Sequence, residues 1–165
     1  MVDTEPQLGD IACTQINGDD GRLIALGEWL NGDRFSEFQH AFVYIGNNEI
    51  VEAEPGGARI GNLAEYDSRT TVWVRCPEQY REAVAAAAKE LLGVGYSALD
   101  YFALAAHRLH LPIPGLNRLV LGEKRMICSQ LSVTAARRGG WDLLAPEPAG
   151  YVTPAELAKL AEPVS

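Results

Sequence analysis

A chain of 165 residues with 47% hydrophobic and 22% charged residues has the size and composition of one soluble globular domain. Its formal net charge of −8 and pI near 4.8 argue against nucleic acids and anionic membrane surfaces as partners. The sequence shows no secretory signal segment and no apolar run long enough to span a bilayer. The location is therefore open, between the cytoplasm and delivery by other machinery such as a virion.

The first half of the chain predicts mainly strands. Residues 11–16 form an apolar run, and a turn cluster and a short helix over 23–30 follow it. Residues 40–45 and 49–54 flank Gly46-Asn47-Asn48, which is a hairpin signal. The high β-propensity of the following segments predicts further strands over 58–60 and 70–75.

The second half predicts helices. The apolar spacing and the alanine content favour a helix over 77–93 and a second over 97–107, with a loop over 111–115. A third helix begins at Cys128 and ends before Gly139-Gly140, and a capping box at Thr153 to Glu156 opens a short fourth. Strands first and helices after predict one α+β domain over residues 1–165.

Three cysteines, without a CxxC pair, make a poor disulfide framework and a poor zinc site. Cys13 and Cys76 are interpreted as small buried hydrophobes. Cys128 differs, because the first turn of a helix offers unpaired N–H groups and the positive end of the dipole, which favour the nucleophilic thiolate. Cys128 is therefore the candidate nucleophile, and it needs a base and a group that orients the base.

Among the three histidines, one is a candidate general base and the other two are considered as a pair of metal ligands. His107 and His110 could share a face, but no third ligand lies at a telling spacing, so we interpret them as a surface pair near a helix C-terminus. No metal and no cofactor is predicted. His40 begins a strand, where a half-buried, hydrogen-bonded histidine and a catalytic base are both reasonable interpretations.

Two glutamates on the next strand are candidates to orient His40. If Gly46-Asn47-Asn48 is a three-residue loop, Glu54 lies opposite His40 and Glu52 is its diagonal neighbour. A two-residue Asn47-Asn48 turn would send both carboxylates to the other face. The pattern permits a His–Glu pair without choosing the glutamate, and a solvated strand face is the alternative for both.

These segments together resemble a known family. Residues 40–53, HAFVYIGNNEIVEA, resemble the histidine hairpin of NlpC-type papain-like cysteine hydrolases, and residues 127–131, ICSQL, resemble their nucleophile helix. Residues 8–11, LGDI, resemble the preceding Gly-Asp strand. The histidine comes before the cysteine, which is the circularly permuted order of the YiiX-like and lecithin:retinol acyltransferase-like branches. Residues 95–101, GYSALDY, and 151–154, YVTP, also look YiiX-like.

The resemblance implies a permuted papain-like fold, with an N-terminal antiparallel sheet or partial barrel packed against a helical C-terminal half. It implies that Cys128 is the nucleophile, that His40 is the general base and that Glu52 orients it. The Cys128 N–H is the natural oxyanion donor. Family members hydrolyse amide or peptide bonds, notably in cell-wall peptides, so a peptide or a peptidoglycan fragment is the favoured substrate.

One departure from the family pattern leaves the class of substrate undecided. Phe42 stands where the family commonly has a glycine, and it shares the face of His40, so it is expected to narrow the cleft or to shape an apolar site. With the apolar segment 111–121, it would suit a thioesterase, lipase or acyltransferase acting on acyl groups. A non-catalytic scaffold, or a subunit of a larger phage-tail-type assembly, is the alternative outside the enzymes.

Overall fold

A computed structural model describes residues 5–15, 38–54, 56–95 and 128–161. Strands come first in this part of the chain and helices follow, as the sequence predicts. The strands are β1 (Ile11–Thr14), β2 (His40–Gly46), β3 (Glu49–Glu54), β4 (Gly57–Asn62) and β5 (Thr71–Val74). The α-helices are α1 (Arg81–Glu90), α2 (Cys128–Arg138) and α3 (Pro154–Ala158), and short 3-10 turns span Leu63–Tyr66, Glu78–Tyr80 and Ala149–Tyr151.

The strands form one antiparallel sheet in the order β4-β3-β2-β1-β5. β4 and β5 are its edges, so the described strands form an open sheet, and the α+β class is confirmed. Of the two forms that the resemblance implies, the sheet is observed and the partial barrel is not. Consecutive strands β2, β3 and β4 pair as neighbours, which brings residues of nearby sequence side by side at one edge.

The turn between β2 and β3 decides which face each carboxylate occupies. Asn47 and Asn48 have φ of 54° and 60°, the positive values that a two-residue hairpin turn requires. Such a turn alone would place Glu52 on the face away from His40. A register shift between Tyr44 and Gly46 adds one residue on β2, so Phe42 pairs with Glu52. The bulge therefore restores the arrangement expected for a three-residue loop.

The two faces of the sheet carry separate apolar clusters, because side chains alternate along each strand. On one face, β1 and β2 contribute Ile11, Cys13, Ala41 and Val43 to the main core, which includes residues of α1 and α2. Helix α2 packs against α1, β2 and β3. On the other face lie Ala12, Phe42, Ile50 and Tyr66. His40 belongs to the second face by its position in β2.

The helix ends follow the sequence signals. Helix α2 ends at Arg138, and Gly140 follows with φ of 90°, the left-handed conformation that a glycine supplies at a helix end. The predicted capping box is confirmed, because the Thr153 side chain accepts from the Glu156 N–H and Glu156 accepts from the Thr153 N–H. Among the described helices, none combines the length and the apolarity needed to cross a membrane.

Several predictions concern residues that the structure does not describe. These are the helices over 23–30 and 97–107, the loop over 111–115, the apolar segment 111–121, and the pair His107 and His110. For these residues, the interpretation drawn from the sequence remains a prediction.

Candidate active site

His40 is the first residue of β2, and its side chain is fully buried. Its Nε2 lies 2.7 Å from Oε2 of Glu52, a hydrogen bond between two side chains that have no exposed surface. Tyr66 is stacked beside the imidazole, with the ring centroids 5.7 Å apart and the planes 20° apart. The Phe42 ring lies on another side at 6.1 Å. These contacts hold the imidazole in one orientation.

Cys128 is the second neighbour of the imidazole. Its sulfur is close enough to His40 to raise the pKa of the imidazole, and it too has no exposed surface. Because Glu52 occupies Nε2, Nδ1 is the imidazole nitrogen left to face the sulfur, and this nitrogen is buried and has no hydrogen-bond partner among the described residues. Sulfur, imidazole and carboxylate therefore follow one another in the order that a nucleophile, a base and an orienting acid require.

The thiol and the imidazole come from opposite faces of the sheet. Helix α2 packs on the face that includes Ala41, whereas the His40 ring contacts Phe42 on the other face. The two side chains meet at the end of β2, where His40 is the first residue of the strand. Cys13, on the helix-facing side, is close enough to Cys128 for their charges to interact.

Glu52, and not Glu54, is the carboxylate that contacts His40. Glu54 instead accepts from Nη2 of Arg59 at its Oε1, its Oε2 forms an ion pair with Nε of Arg59 at 2.9 Å, and its side chain is 27% exposed. The choice that the sequence left open depends on the bulge, which makes Glu52 the inward diagonal neighbour of His40 and leaves Glu54 at the end of β3.

Both oxygens of Glu52 are engaged. Oε2 accepts from His40 and also from the Tyr66 hydroxyl. Oε1 lies 2.7 Å from Nη2 of Arg59, which is directly opposite Glu52 on β4. A Cβ at Gly61 would approach Oε1 to 2.6 Å, so the absence of a side chain there makes room for the carboxylate.

These contacts shift the ionisation of both partners. Burial alone would lower the pKa of His40, but the hydrogen bonds and negative charges of Cys128 and Glu52 raise it to about 10. Burial alone would raise the pKa of Glu52, but His40, Tyr66 and Arg59 together hold it below its ordinary value. The site therefore favours a protonated imidazole beside an ionised carboxylate at neutral pH.

Cys13 and Cys76 are both free and buried, in agreement with the sequence interpretation. Burial and the charge of Cys128 raise the pKa of Cys13 far above that of an ordinary thiol. Burial and the charge of Asp10 raise the pKa of Cys76 to about 11. Both are therefore thiols at neutral pH and poor nucleophiles.

Phe42 is fully buried and is part of an aromatic cluster. Its ring centroid lies 4.7 Å from that of Tyr66 and 6.0 Å from that of Trp73, the latter edge to face. Phe42 therefore supports the imidazole from within the sheet face and presents no exposed surface of its own. In the part of the chain that the structure describes, no three His, Cys, Asp or Glu side chains are placed to hold a metal ion.

Sequence reasoning missed Arg59 and Tyr66. Arg59 had a signal, because the sequence Pro-Gly-Gly after Glu54 is typical of a turn, and pairing of Glu54 with Gly57 places Arg59 opposite Glu52. Tyr66 had none, since its position depends on how the chain leaves the edge strand.

Comparison with models of known protein families, with curated protein sequences and with solved structures finds no match to this chain. The resemblance to NlpC-type hydrolases thus stays a prediction that depends on the residues quoted for it.

Proposed function

We propose that this protein is a cysteine hydrolase of permuted papain-like fold that cleaves an amide or peptide bond. One observation carries the proposal, namely that the buried His40 imidazole lies beside the Cys128 sulfur and is hydrogen-bonded through Nε2 to the Glu52 carboxylate. An open antiparallel sheet packed against a cysteine-bearing helix supports the fold. A peptide or a peptidoglycan fragment is the substrate class that the family resemblance favours.

In the first half of the reaction, the proton of the Cys128 thiol already rests on His40, as the raised pKa of the imidazole favours, and the Cys128 thiolate attacks the carbonyl carbon. The negative charge that develops on the carbonyl oxygen is stabilised by the Cys128 backbone N–H at the helix end. The C–N bond then breaks, and the leaving amine takes the proton from His40. A thioacyl group remains on Cys128.

In the second half, His40 removes a proton from water as the water oxygen attacks the thioacyl carbon. The C–S bond breaks, the carboxylic acid product leaves, and the Cys128 thiolate is restored beside the protonated imidazole. Glu52 accepts from Nε2–H throughout, which fixes the tautomer that leaves Nδ1 facing the sulfur. It also stabilises the imidazolium in each half.

The complete burial of all three side chains favours a second candidate function. Cys128, His40 and Glu52 each have no exposed surface, so a substrate reaches the sulfur only when neighbouring groups move aside. A buried, fully paired network of this kind also suits a scaffold that keeps the fold without turnover, including a subunit of a larger phage-type assembly. The rate at which Cys128 reacts separates the two functions.

The first test is alkylation of the intact protein by iodoacetamide near neutral pH, with each cysteine followed by peptide mass spectrometry. A hydrolase is expected to label Cys128 much faster than Cys13 or Cys76. His40→Ala should remove this advantage, Glu52→Gln should reduce it by less, and Glu54→Gln, the matched control, should leave it unchanged. Labelling of Cys128 no faster than that of Cys13 would favour the scaffold.

The second test identifies the bond. Muropeptides, acyl esters and thioesters are offered to the wild type and to Cys128→Ala, and the released amine, alcohol or thiol is measured. The proposal expects turnover of an amide by the wild type alone. Turnover confined to esters or thioesters would show a thioesterase, lipase or acyltransferase, and full activity of Cys128→Ala would refute the nucleophile.

A further inference from the structure

The carboxylate of Glu52 has two partners that a Cys–His–Glu triad does not require. The Tyr66 hydroxyl donates to Oε2, the same oxygen that accepts from His40. Nη2 of Arg59 lies 2.7 Å from Oε1. Building on the proposed function, we propose that Tyr66 and Arg59 are positioning residues, which fix the orientation of Glu52 and keep it ionised so that it stabilises the imidazolium.

The ring contacts and the hydroxyl group of Tyr66 both suit it to this positioning role. The residue is 4% exposed, and its ring contacts both the His40 and the Phe42 rings. Its hydroxyl remains a donor, because burial and the negative charge of Glu52 raise the pKa of the phenol. The 3-10 turn that presents Tyr66 begins with a reciprocal cap between Asn62 and Glu65.

Arg59 holds the other oxygen and connects it to the same turn. Its guanidinium contacts Glu52, Glu54 and Glu65, at 2.7 to 2.9 Å for the closest pairs. Glu65 is the residue whose side chain accepts from the Asn62 N–H at the start of the Tyr66 turn. The two positioning residues are thus joined through Glu65, and they hold the carboxylate from opposite ends.

Holding both oxygens has a chemical consequence. Rotation of the carboxylate would take Oε2 away from Nε2–H of His40, and the two partners oppose that rotation. Donors to a carboxylate also favour its charged form, so removing one raises the pKa of Glu52. If the pKa of Glu52 rises, the carboxylate becomes protonated at a higher pH, and it stops stabilising the imidazolium at that higher pH. Proton transfer between His40 and Cys128 is then lost at a higher pH when the solution is acidified.

The test compares Tyr66→Phe with Tyr44→Phe in iodoacetamide alkylation of Cys128 between pH 4 and 8. Tyr66→Phe keeps the stacked ring and removes only the hydroxyl. Its acid limb is expected to move up by roughly one pH unit, since one hydrogen bond to a charged group is worth about a tenfold change. Tyr44→Phe removes a phenol on the same sheet face that accepts from the Asn48 N–H, and it should follow the wild type.

Arg59 is tested by rescue. Arg59→Met should shift the acid limb in the same direction, and Arg59→Lys, which keeps a positive charge, should restore part of the shift. Glu54→Gln removes another Arg59 partner without contacting His40, and it is expected to have little effect. A merely structural role would change stability in these variants without moving the pH profile.

A direct titration keeps this proposal separate from the proposed function. The carboxyl carbon of Glu52 is followed by ¹³C NMR in glutamate-labelled protein and assigned with Glu52→Gln. The pKa of Glu52 is expected to rise in both Tyr66→Phe and Arg59→Met. An unchanged pKa would overturn the positioning roles, even if Cys128 is a fast nucleophile. A raised pKa would support them, even if Cys128 reacts as slowly as Cys13 and the hydrolase proposal fails.

Discussion

Asp10 and Glu52 are both buried carboxylates, and each lies 2.7 Å from an arginine nitrogen. Asp10 accepts from the backbone N–H groups of Gln7 and Cys76 and from the Arg75 side chain. Its partners are therefore one charged group and two amides that never change their protonation. Asp10 ties the segment before β1 to the segment after β5.

Among the described residues, the partners of Glu52 are all side chains, and two of them can gain or lose a proton. His40 and Tyr66 share one oxygen, and Arg59 contacts the other. The comparison teaches that burial and an arginine partner do not distinguish a structural carboxylate from one that can serve chemistry. The other partners of each carboxylate make this distinction. Of the two carboxylates, only Glu52 has a partner, His40, whose proton can be exchanged with a neighbouring nucleophile.

The largest expected effect is on stability, at Asp10. Asp10→Ala removes the acceptor of two backbone N–H groups and of Arg75, and we expect unfolding free energy to fall by about 3 kcal/mol. Urea denaturation measures the loss. Alkylation of Cys128 in the folded protein should stay close to wild type, because Asp10 contacts none of the proposed triad. Selective loss of alkylation with unchanged stability would break the comparison.

The next effect is the acid dependence of stability at Glu52. Its folded pKa lies below the ordinary 4.5, so it contributes stability above pH 4.5 and loses that contribution as pH falls through the folded value. Glu52→Gln should be less stable than wild type by about 2 kcal/mol at pH 7, and the difference should shrink below pH 4. Urea denaturation at several pH values measures it. A difference that is constant from pH 7 to 3 would contradict the lowered pKa.

The smallest effect is expected at Gly61. A Cβ there would meet Oε1 of Glu52 at 2.6 Å and Cγ1 of Ile50 at 3.3 Å, so Gly61→Ala should displace the carboxylate. We expect about 1 kcal/mol of destabilisation and slower alkylation of Cys128. In the Glu52→Ala background, which frees the space, the added methyl should have no further effect on alkylation. Equal effects in both backgrounds would show that the added methyl group acts through Ile50 and not through Glu52.

The sequence was sufficient for the described strands and α-helices, and it named Cys128 and His40 as candidate nucleophile and base. β-branched and aromatic residues on both sides of Gly46-Asn47-Asn48 predict β2 and β3, and the apolar spacing after Cys128 predicts α2. The partner of His40 could not be chosen, because a single bulge reverses which face Glu52 occupies. Local propensity does not fix a bulge, which depends on how the neighbouring strands twist and pair.

The contact between Cys128 and His40 was predicted only through the family resemblance. No periodicity shows that a helix on one face reaches an imidazole on the other. That meeting depends on His40 being the terminal residue of its strand, and strand ends are the least certain part of any sequence-based assignment. Tyr66 was missed for a related reason, since it lies in a turn beyond an edge strand whose length the sequence did not define.

The partners of Glu52 all come from nearby in the chain. His40 is twelve residues before it and Tyr66 fourteen residues after it, and both are reached through tight hairpins and a single 3-10 turn. Closing such short loops is entropically cheap and fast. We therefore expect the hairpin segment to organise its imidazole and carboxylate early in folding. The sulfur, which arrives from a distant helix, would then dock onto a proton acceptor that is already in place.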